Sequence, residues 1–313
     1  MGRWTTHSNM WTRGLILAAA AILVAVILAG HEFVPNAVGN LGSFVETFLP
    51  WLGWVLVPIG IGAAVRRSAS AGIAAVLTLL VWSTMFLALL PDKSNGDGEF
   101  RVLTHNVDVD NPDLEGTVDT LLGAQADILA LEELDEEDQN RYAEALADEY
   151  PYTVRHGTVA LWSKFPITSS KPVDIEIGWT RAMQAVVETP TASVAVYVSH
   201  LASVRIGSDG FSSQQRDATA RALGKIIAAE QLDSVVLLGD LNGTLQDRSL
   251  APLTYQLRST QAEAGQGFGF TWPASFPMSR IDQILVKNLT PVKSWTLDRT
   301  GSDHLPIASE LHA

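Results

Sequence analysis

"SVVLLGDLN" (Ser234–Asn242) runs four apolar residues into a glycine and then places Asp240 and Asn242 at its end. An uninterrupted apolar run of this length, bounded by turn formers, reads as a strand covered on both faces. A carboxylate closing such a strand is costly to desolvate unless a cation or a donor meets it. Taken alone, Asp240 is explained as a turn residue ahead of Gly243.

The same oddity recurs at five other places. Asn106 and Asp108 follow "RVLTH", Glu133 follows "DILALE", His200 follows "AVYVS", Asp282 lies in "SRIDQI", and Asp303–His304 lie in "TGSDHLPI" (Thr300–Ile307). Ends of neighbouring strands converge in space, so six such sites in one domain point to one polar cluster. The set has no thiolate, because the chain has no cysteine, and few imidazoles. Oxygen-rich chemistry of this kind suits Mg²⁺, with Mn²⁺ as a second choice, over Zn²⁺. The missing cysteine also excludes disulfides and a thiol nucleophile.

Around these motifs the chain from Arg101 onward alternates short apolar runs with helical patterns. Strands are expected at 101–107, 127–134, 158–164, 183–189, 193–201, 234–242, 280–286 and 305–311. Helices are expected at 113–125, 136–149 and 212–230. Strands in near succession with occasional helices predict an α/β domain of two packed sheets flanked by helices.

The first third is a different object. Residues 1–91 carry four basic and two acidic side chains, net +2, while the remaining residues carry 17 and 32, net −15. Three uncharged apolar stretches, about 14–30, 47–65 and 71–90, approach the ~20 residues that a bilayer span needs. Pro50 and Pro58 are expected to bend or delay the second. Arg3 and Arg13 precede the first stretch and Arg66–Arg67 precede the third, whereas 31–46 has no Lys or Arg. The positive-inside bias then places the N-terminus in the cytoplasm and the C-terminal domain outside. A cleaved signal ending near "ILAG" is the other reading of the first stretch, and it exports the same domain. The expected organisation is a membrane unit over 1–91, a turn-rich linker over 92–100 and a catalytic domain over 101–313.

"THNVD", "ILALEE", "SHL", "GDLNG", "SRIDQI" and "SDHLPI" resemble, in order and spacing, the motifs of the endonuclease/exonuclease/phosphatase superfamily. The resemblance implies a four-layered α/β sandwich with a metal-dependent phosphoesterase site across the sheet tops. It implies that Glu133 binds the divalent cation, with Asn106, Asp108 and Asp303 in or near the metal shell. It implies that Asn106 also contacts the scissile phosphate, that Asp240 orients or deprotonates the attacking water, and that Asn242 holds the phosphate. His200 and His304 are implied to donate to phosphoryl oxygens, with Asp282 behind His304. Glu132 departs from the pattern, since the family usually has Gln there. Strand alternation sends it to the face opposite Glu133. His105, where an apolar or aromatic residue is common, is expected behind the site.

Other residues are weighed individually. Arg181, Arg205, Gln215 and Arg216 fit a second phosphate, although surface arginines are more often solvated. "GFGFTWP" (Gly267–Pro273) reads as a packing loop. An apolar anchor joined to a hydrolase domain resembles the bacterial membrane phosphatases linked to teicoplanin resistance. That resemblance implies a multi-pass protein of the plasma membrane whose substrate is a membrane lipid, a polyprenyl pyrophosphate above all. The acidic domain disfavours a nucleic-acid partner. An exported nuclease and a phospholipase C-type enzyme remain the alternatives.

Overall fold

The computed structural model describes residues 9–208 and 210–313. Arg3, one of the cations behind the expected orientation, lies outside them. The chain divides into two units, Met1–Leu90 and Pro91–Ala313.

Among the described residues of the first unit there are four α-helices, α1 (Leu15–Ala29), α2 (Leu41–Thr47), α3 (Leu56–Val65) and α4 (Ala69–Phe86), with 3₁₀ segments between the first three and a turn over 66–68 before α4. Continued by such a turn, α4 makes an apolar stretch of 21 residues, Ala69–Leu89, with mean hydropathy 2.1. Among the described residues it is the one helix that is by itself long and apolar enough to cross a membrane. The first expected span is shorter than 14–30: α1 has 15 residues, about 22 Å at ~1.5 Å per residue. In the second, Leu49–Val65 is one helical segment that follows a sharp break. α2 and the segment Leu49–Val65 meet at 71°, and Leu49–Val55 is 3₁₀. Pro50 lacks an N–H and cannot continue a helix arriving from α2, whereas Pro58 sits in the first turn of α3, where no N–H is needed.

Small residues explain how these helices meet. Ala18 and Ala21 of α1, Ala63 of α3, and Ala71 and Ala74 of α4 are buried together with Ile59, which lets backbones approach closely. Thr78 donates its hydroxyl to the carbonyl of Ala21 (2.8 Å) as well as to that of Ala74 (2.8 Å). The outward faces are apolar instead: Ile16 is 86% exposed and Val65 78%. Such a surface in water would be an aggregation liability.

The described residues of the second unit form 14 strands. In chain order they are β1 (Phe100–Asn106), β2 (Ile128–Glu132), β3 (Tyr152–His156), β4 (Val159–Ser163), β5 (Ile167–Pro172), β6 (Ala182–Glu188) and β7 (Ser193–Ser199). There follow β8 (Ile206–Gly207), β9 (Gly210–Phe211), β10 (Ser234–Asp240), β11 (Arg258–Ser259), β12 (Asp282–Lys287), β13 (Thr290–Thr296) and β14 (Ile307–His312). One six-stranded sheet has the order β13-β14-β1-β2-β4-β3 and the other β11-β12-β10-β7-β6-β5. Both are mixed: β1 runs parallel to β2 and β10 parallel to β7, the other pairings being antiparallel.

The inner faces meet in a core that includes Val102, Ile128 and Leu161 from one sheet and Met183, Val196, Val236 and Ile284 from the other. Helices α5 (Leu114–Gly123) and α6 (Glu136–Leu146) cover the outer face of the first sheet through Leu121, Tyr142 and Leu146. Helix α7 (Gln214–Ala228) covers the second through Ala220, Leu223 and Ile227. This gives the expected layering of helix, sheet, sheet and helix. Asp113 and Asp135 cap α5 and α6 by accepting from Gly116 N (3.0 Å) and Asp138 N (2.8 Å).

Residues 92–100, expected as a linker, pack against this unit. Lys93 Nζ donates to the carbonyl of Ala262, Asn95 N to that of Val292 (2.8 Å), and Gly98 N to Glu310 Oε2 (3.0 Å).

Candidate active site

The strand ends converge as their polar residues required. In the second sheet β10 and β12 are paired antiparallel so that Asp240 stands opposite Asp282. Gly239, with φ +139°, makes this possible, since a Cβ there would lie 2.1 Å from the carbonyl oxygen of Ser199 on β7. In the first sheet β1 ends at Asn106, whose Nδ2 crosses to Asp240 Oδ2 (3.2 Å). Asn242, in the left-handed region at φ 48°, donates its backbone N–H to Asp240 Oδ1 (2.8 Å) and its side-chain amide to Oδ2 (3.1 Å). Three donors therefore fix the direction of one buried carboxylate.

His304 stands beside it. Its Nδ1 donates to Asp282 Oδ2 (2.9 Å) and Oδ1 (3.1 Å), and its Nε2 lies 3.8 Å from Asp240 Oδ2. The loop is pinned by Ser302, whose hydroxyl donates to the carbonyl of Asn106 (2.7 Å) and accepts from His304 N (3.0 Å). Burial opposes charge on His304, but the carboxylates of Asp282 and Asp240 outweigh it and raise the imidazole to about 10. Burial also pushes Asp240 up to about 7, with His304 opposing and Asp282 reinforcing. Asp282 is buried too, yet the charge and hydrogen bond of His304 hold it below the usual carboxylate range. An ion pair of Asp282 and His304 thus lies beside a carboxylate poised near neutrality.

Glu133 and His200 form the opposite rim. Glu133 leaves β2 at φ 60°, and its Oε1 is 3.4 Å from His200 Nε2. His200 is 1% exposed and lies 3.6 Å from Asp240 Oδ2. Burial and the neighbouring Arg181 hold His200 well below the usual histidine range. It is neutral, and its Nε2 accepts from the Arg181 guanidinium. The cation facing Asp240 and Glu133 on this side is therefore Arg181.

Two expected residues lie at the edge of the cluster. Asp108 Oδ1 accepts from Asp110 N (3.0 Å), and its backbone N–H donates to Asn106 Oδ1 (3.1 Å), so it meets the site through its backbone. Asp303 is 58% exposed on its side chain, 3.7 Å from His304 Nε2, and its Oδ2 accepts from the indole of Trp272 (3.1 Å). Glu132 and Glu133 diverge as alternation predicts. Glu132 is fully buried between the sheets, accepts from Thr104 Oγ1 (2.6 Å), and is pushed well up by burial. His105 is buried behind β1 with its Nε2 3.0 Å from Thr300 Oγ1.

Three contributors were not legible as such. Arg216, weighed as a phosphate ligand, is fully buried and holds the Asn242 carbonyl (2.6 Å) and Asp247 Oδ2 (2.5 Å). Thr271 and Trp272 belong to the expected packing loop, yet Thr271 Oγ1 accepts from Asp282 N (3.4 Å) and Trp272 holds Asp303. Their signal, a polar side chain inside an apolar motif, is too common to single them out.

The donor set fits a hard divalent cation. Asp240, Asp282 and His304 offer ligand atoms within 4.8 Å of one another. With the Asp282 carboxylate and His304 Nδ1 already paired, the oxygens of Glu133, Asp240 and Asp303 and the Asn106 amide are the donors left for a metal.

The family described as Endonuclease/Exonuclease/phosphatase matches residues 103–304. Among solved structures, D. rerio TDP2 complexed with a single-strand DNA product is 19% identical, with TM-score 0.58, over 68% of this chain and 99% of that one. The endonuclease/exonuclease/phosphatase from Bacteroides vulgatus is 16% identical, with TM-score 0.57, over 69% and 99%. Sphingomyelinase C from Streptomyces griseocarneus is 17% identical, with TM-score 0.50, over 67% and 98%. No curated protein matches the chain. With the family motifs spanning the sandwich and their polar residues gathered at one end of it, this chain belongs to the endonuclease/exonuclease/phosphatase family and is a metal-dependent phosphoester hydrolase.

Proposed function

We propose that this protein is a membrane-anchored phosphoesterase that hydrolyses a lipid-linked phosphate or pyrophosphate at the outer face of the plasma membrane. The most concrete substrate is a polyprenyl, undecaprenyl-type pyrophosphate. The observation that carries the reading is the fusion of a helical unit rich in apolar residues, including the 21-residue apolar stretch Ala69–Leu89, to a hydrolase unit that begins at Pro91. An enzyme held at a surface meets lipid headgroups at a high effective concentration. The family resemblance to the teicoplanin-resistance membrane phosphatases and the net charge of −15 beyond residue 91 support a lipid over a nucleic acid.

The mechanism follows from the site. Asp240 accepts a proton from the attacking water, its oxygens aimed by Asn106 and Asn242. His304, charged and locked by Asp282, donates from Nε2 to phosphoryl oxygens as they gain negative charge. Arg181 supplies a second positive charge from the His200 side. Glu133, Asn106 and Asp303 would hold Mg²⁺, which when bound polarises the phosphoryl group.

Detergent-purified protein incubated with Mg²⁺ should release phosphate from a prenyl pyrophosphate and leave sphingomyelin and plasmid DNA intact. DNA nicking without phosphate release from the lipid would make it an exported nuclease. Phosphocholine release from sphingomyelin would make it a phospholipase C-type enzyme. An alkaline-phosphatase fusion after Leu90 tests sidedness, and an inactive fusion removes the outer-face reading.

A further inference from the structure

The cleft does not end at His200. A cavity of about 490 Å³ lies beside it, lined among others by Trp179, Arg181, Ser203, Arg205, Gln214 and Gln215. Trp179, Arg181, Ser203 and Arg205 also line the recess of about 400 Å³ that contains Glu133 and His200. The two spaces adjoin, with these four residues as their common wall.

The chemistry of this extension is anionic recognition. Arg181 is 6% exposed, and its Nε has no hydrogen-bond partner among the described residues. Its guanidinium lies 5.0 Å from the Trp179 ring centroid, stacked over it. A buried guanidinium with an unused donor carries a desolvation cost that an anion in the cavity relieves. Arg205 adds a second guanidinium from the loop ahead of β8, whose backbone is tied by Ser212 N donating to the Arg205 carbonyl (2.9 Å). Gln214 and Gln215 open the 15-residue helix α7, so the positive end of its dipole adds to the same field.

We propose that this cavity is the subsite for a second phosphoryl group, which makes the enzyme selective for diphosphates over monophosphates. This deepens the lipid-phosphate reading and rests on it. The terminal phosphoryl group sits between Asp240 and His304, and the group bonded to the lipid sits against Arg181 and Arg205. Water adds to the terminal phosphorus, the bridging P–O bond breaks, and the electron pair stays on the oxygen facing Arg181. Asp240 takes the water's proton and passes it to solvent. Orthophosphate and the lipid monophosphate leave.

The test compares geranyl diphosphate with geranyl monophosphate on full-length detergent-purified protein at fixed free Mg²⁺, with bis(p-nitrophenyl) phosphate as a chain-free reporter. The expected ratio of kcat/KM, diphosphate over monophosphate, exceeds ~10. It falls at least ~10-fold in Arg205→Gln, is partly restored in Arg205→Lys, and is unchanged in Arg221→Gln, which removes the same charge from an exposed face of α7. If both prenyl esters react with a ratio near one, or if Arg205→Gln leaves the ratio alone, the subsite is refuted while the lipid reading stands. An equal fall in Arg221→Gln also refutes it, because general charge would then explain the preference. If neither prenyl ester reacts and the reporter does, the lipid reading fails. The subsite is then judged by inhibition of the reporter reaction. Methylenediphosphonate binding at least ~10-fold tighter than methylphosphonate, with the advantage lost in Arg205→Gln, upholds it; equal inhibition overturns it.

Discussion

Glu132 and Glu133 are adjacent in sequence and live in different media. Glu132 is enclosed between the sheets with Thr104, and burial pushes its carboxyl well up, favouring the protonated form. A protonated carboxyl has nearly the shape and hydrogen-bonding capacity of the glutamine that the family usually carries there. Glu132→Gln should therefore keep kcat/KM within ~3-fold, while Glu133→Gln, which removes a charge from the rim facing His200, should lower it at least ~100-fold. Equal losses in the two variants would falsify this division. His304 and Asp240 make a second prediction. Asp240 must be deprotonated to accept a proton, so kcat/KM should rise as pH climbs through about 7. His304 must be charged to donate, so activity should fall again above about 10. Removing the carboxylate that leads in holding that charge, in Asp282→Asn, should draw the descending limb down toward the ordinary histidine range near ~6.5. Higher free Mg²⁺ should move the ascending limb to lower pH, since a nearby cation favours the carboxylate. A pH–rate profile of bis(p-nitrophenyl) phosphate hydrolysis reads both limbs, and an unmoved alkaline limb in Asp282→Asn would remove the role given to that ion pair.

Among elements, the helix α7 has a part that its amphipathic pattern does not reveal. It covers the outer face of the second sheet, and its Arg216 reaches under the site to grip Asp247 and the Asn242 carbonyl. Both members of the Arg216–Asp247 pair are fully buried on their side chains. Replacing Arg216 by Met leaves a carboxylate buried without its cation, which costs about 3–5 kcal/mol. Urea unfolding should show that loss, and kcat should fall with it because the Asp240–Asn242 turn is no longer held. A variant as stable as the parent would mean that the pair is dispensable. The same helix shows what a sequence can convey. Central strands such as β7 and β10 announce themselves by unbroken apolar runs, because both of their faces are covered. β3 ("YTVRH"), β5 ("ITSSKP") and β13 ("TPVKSWT") were not expected; β3 and β5 are sheet edges with largely exposed residues, and β13 mixes polar and apolar positions. The site residues were legible because charged groups at the ends of apolar strands are rare. The supporting roles of Arg216 and Trp272 were not, because an arginine or tryptophan in a mixed segment carries no sign of where its tip will go.

For the whole molecule, the question is how far the hydrolase unit strays from the lipid. Residues 91–100 would reach at most about 35 Å if fully extended, which suits a free tether. The structure instead spends them on the hydrolase unit, through Lys93, Asn95 and Gly98. Little chain is then left between that unit and Leu90, the end of the helical unit. On the proposed membrane-anchored reading, a short connection would keep the site near the headgroups, and effective concentration falls roughly as the −3/2 power of tether length once the tether exceeds the span. Inserting about 30 Gly/Ser residues after Pro91 should therefore lower hydrolysis of a prenyl pyrophosphate in vesicles by ~3- to 10-fold. Turnover of soluble bis(p-nitrophenyl) phosphate by the same preparation should stay within ~2-fold, which separates confinement from damage to the fold. Equal rates on vesicles with and without the insertion would mean that the anchor does not present substrate to the site, and that the helices serve some purpose other than proximity.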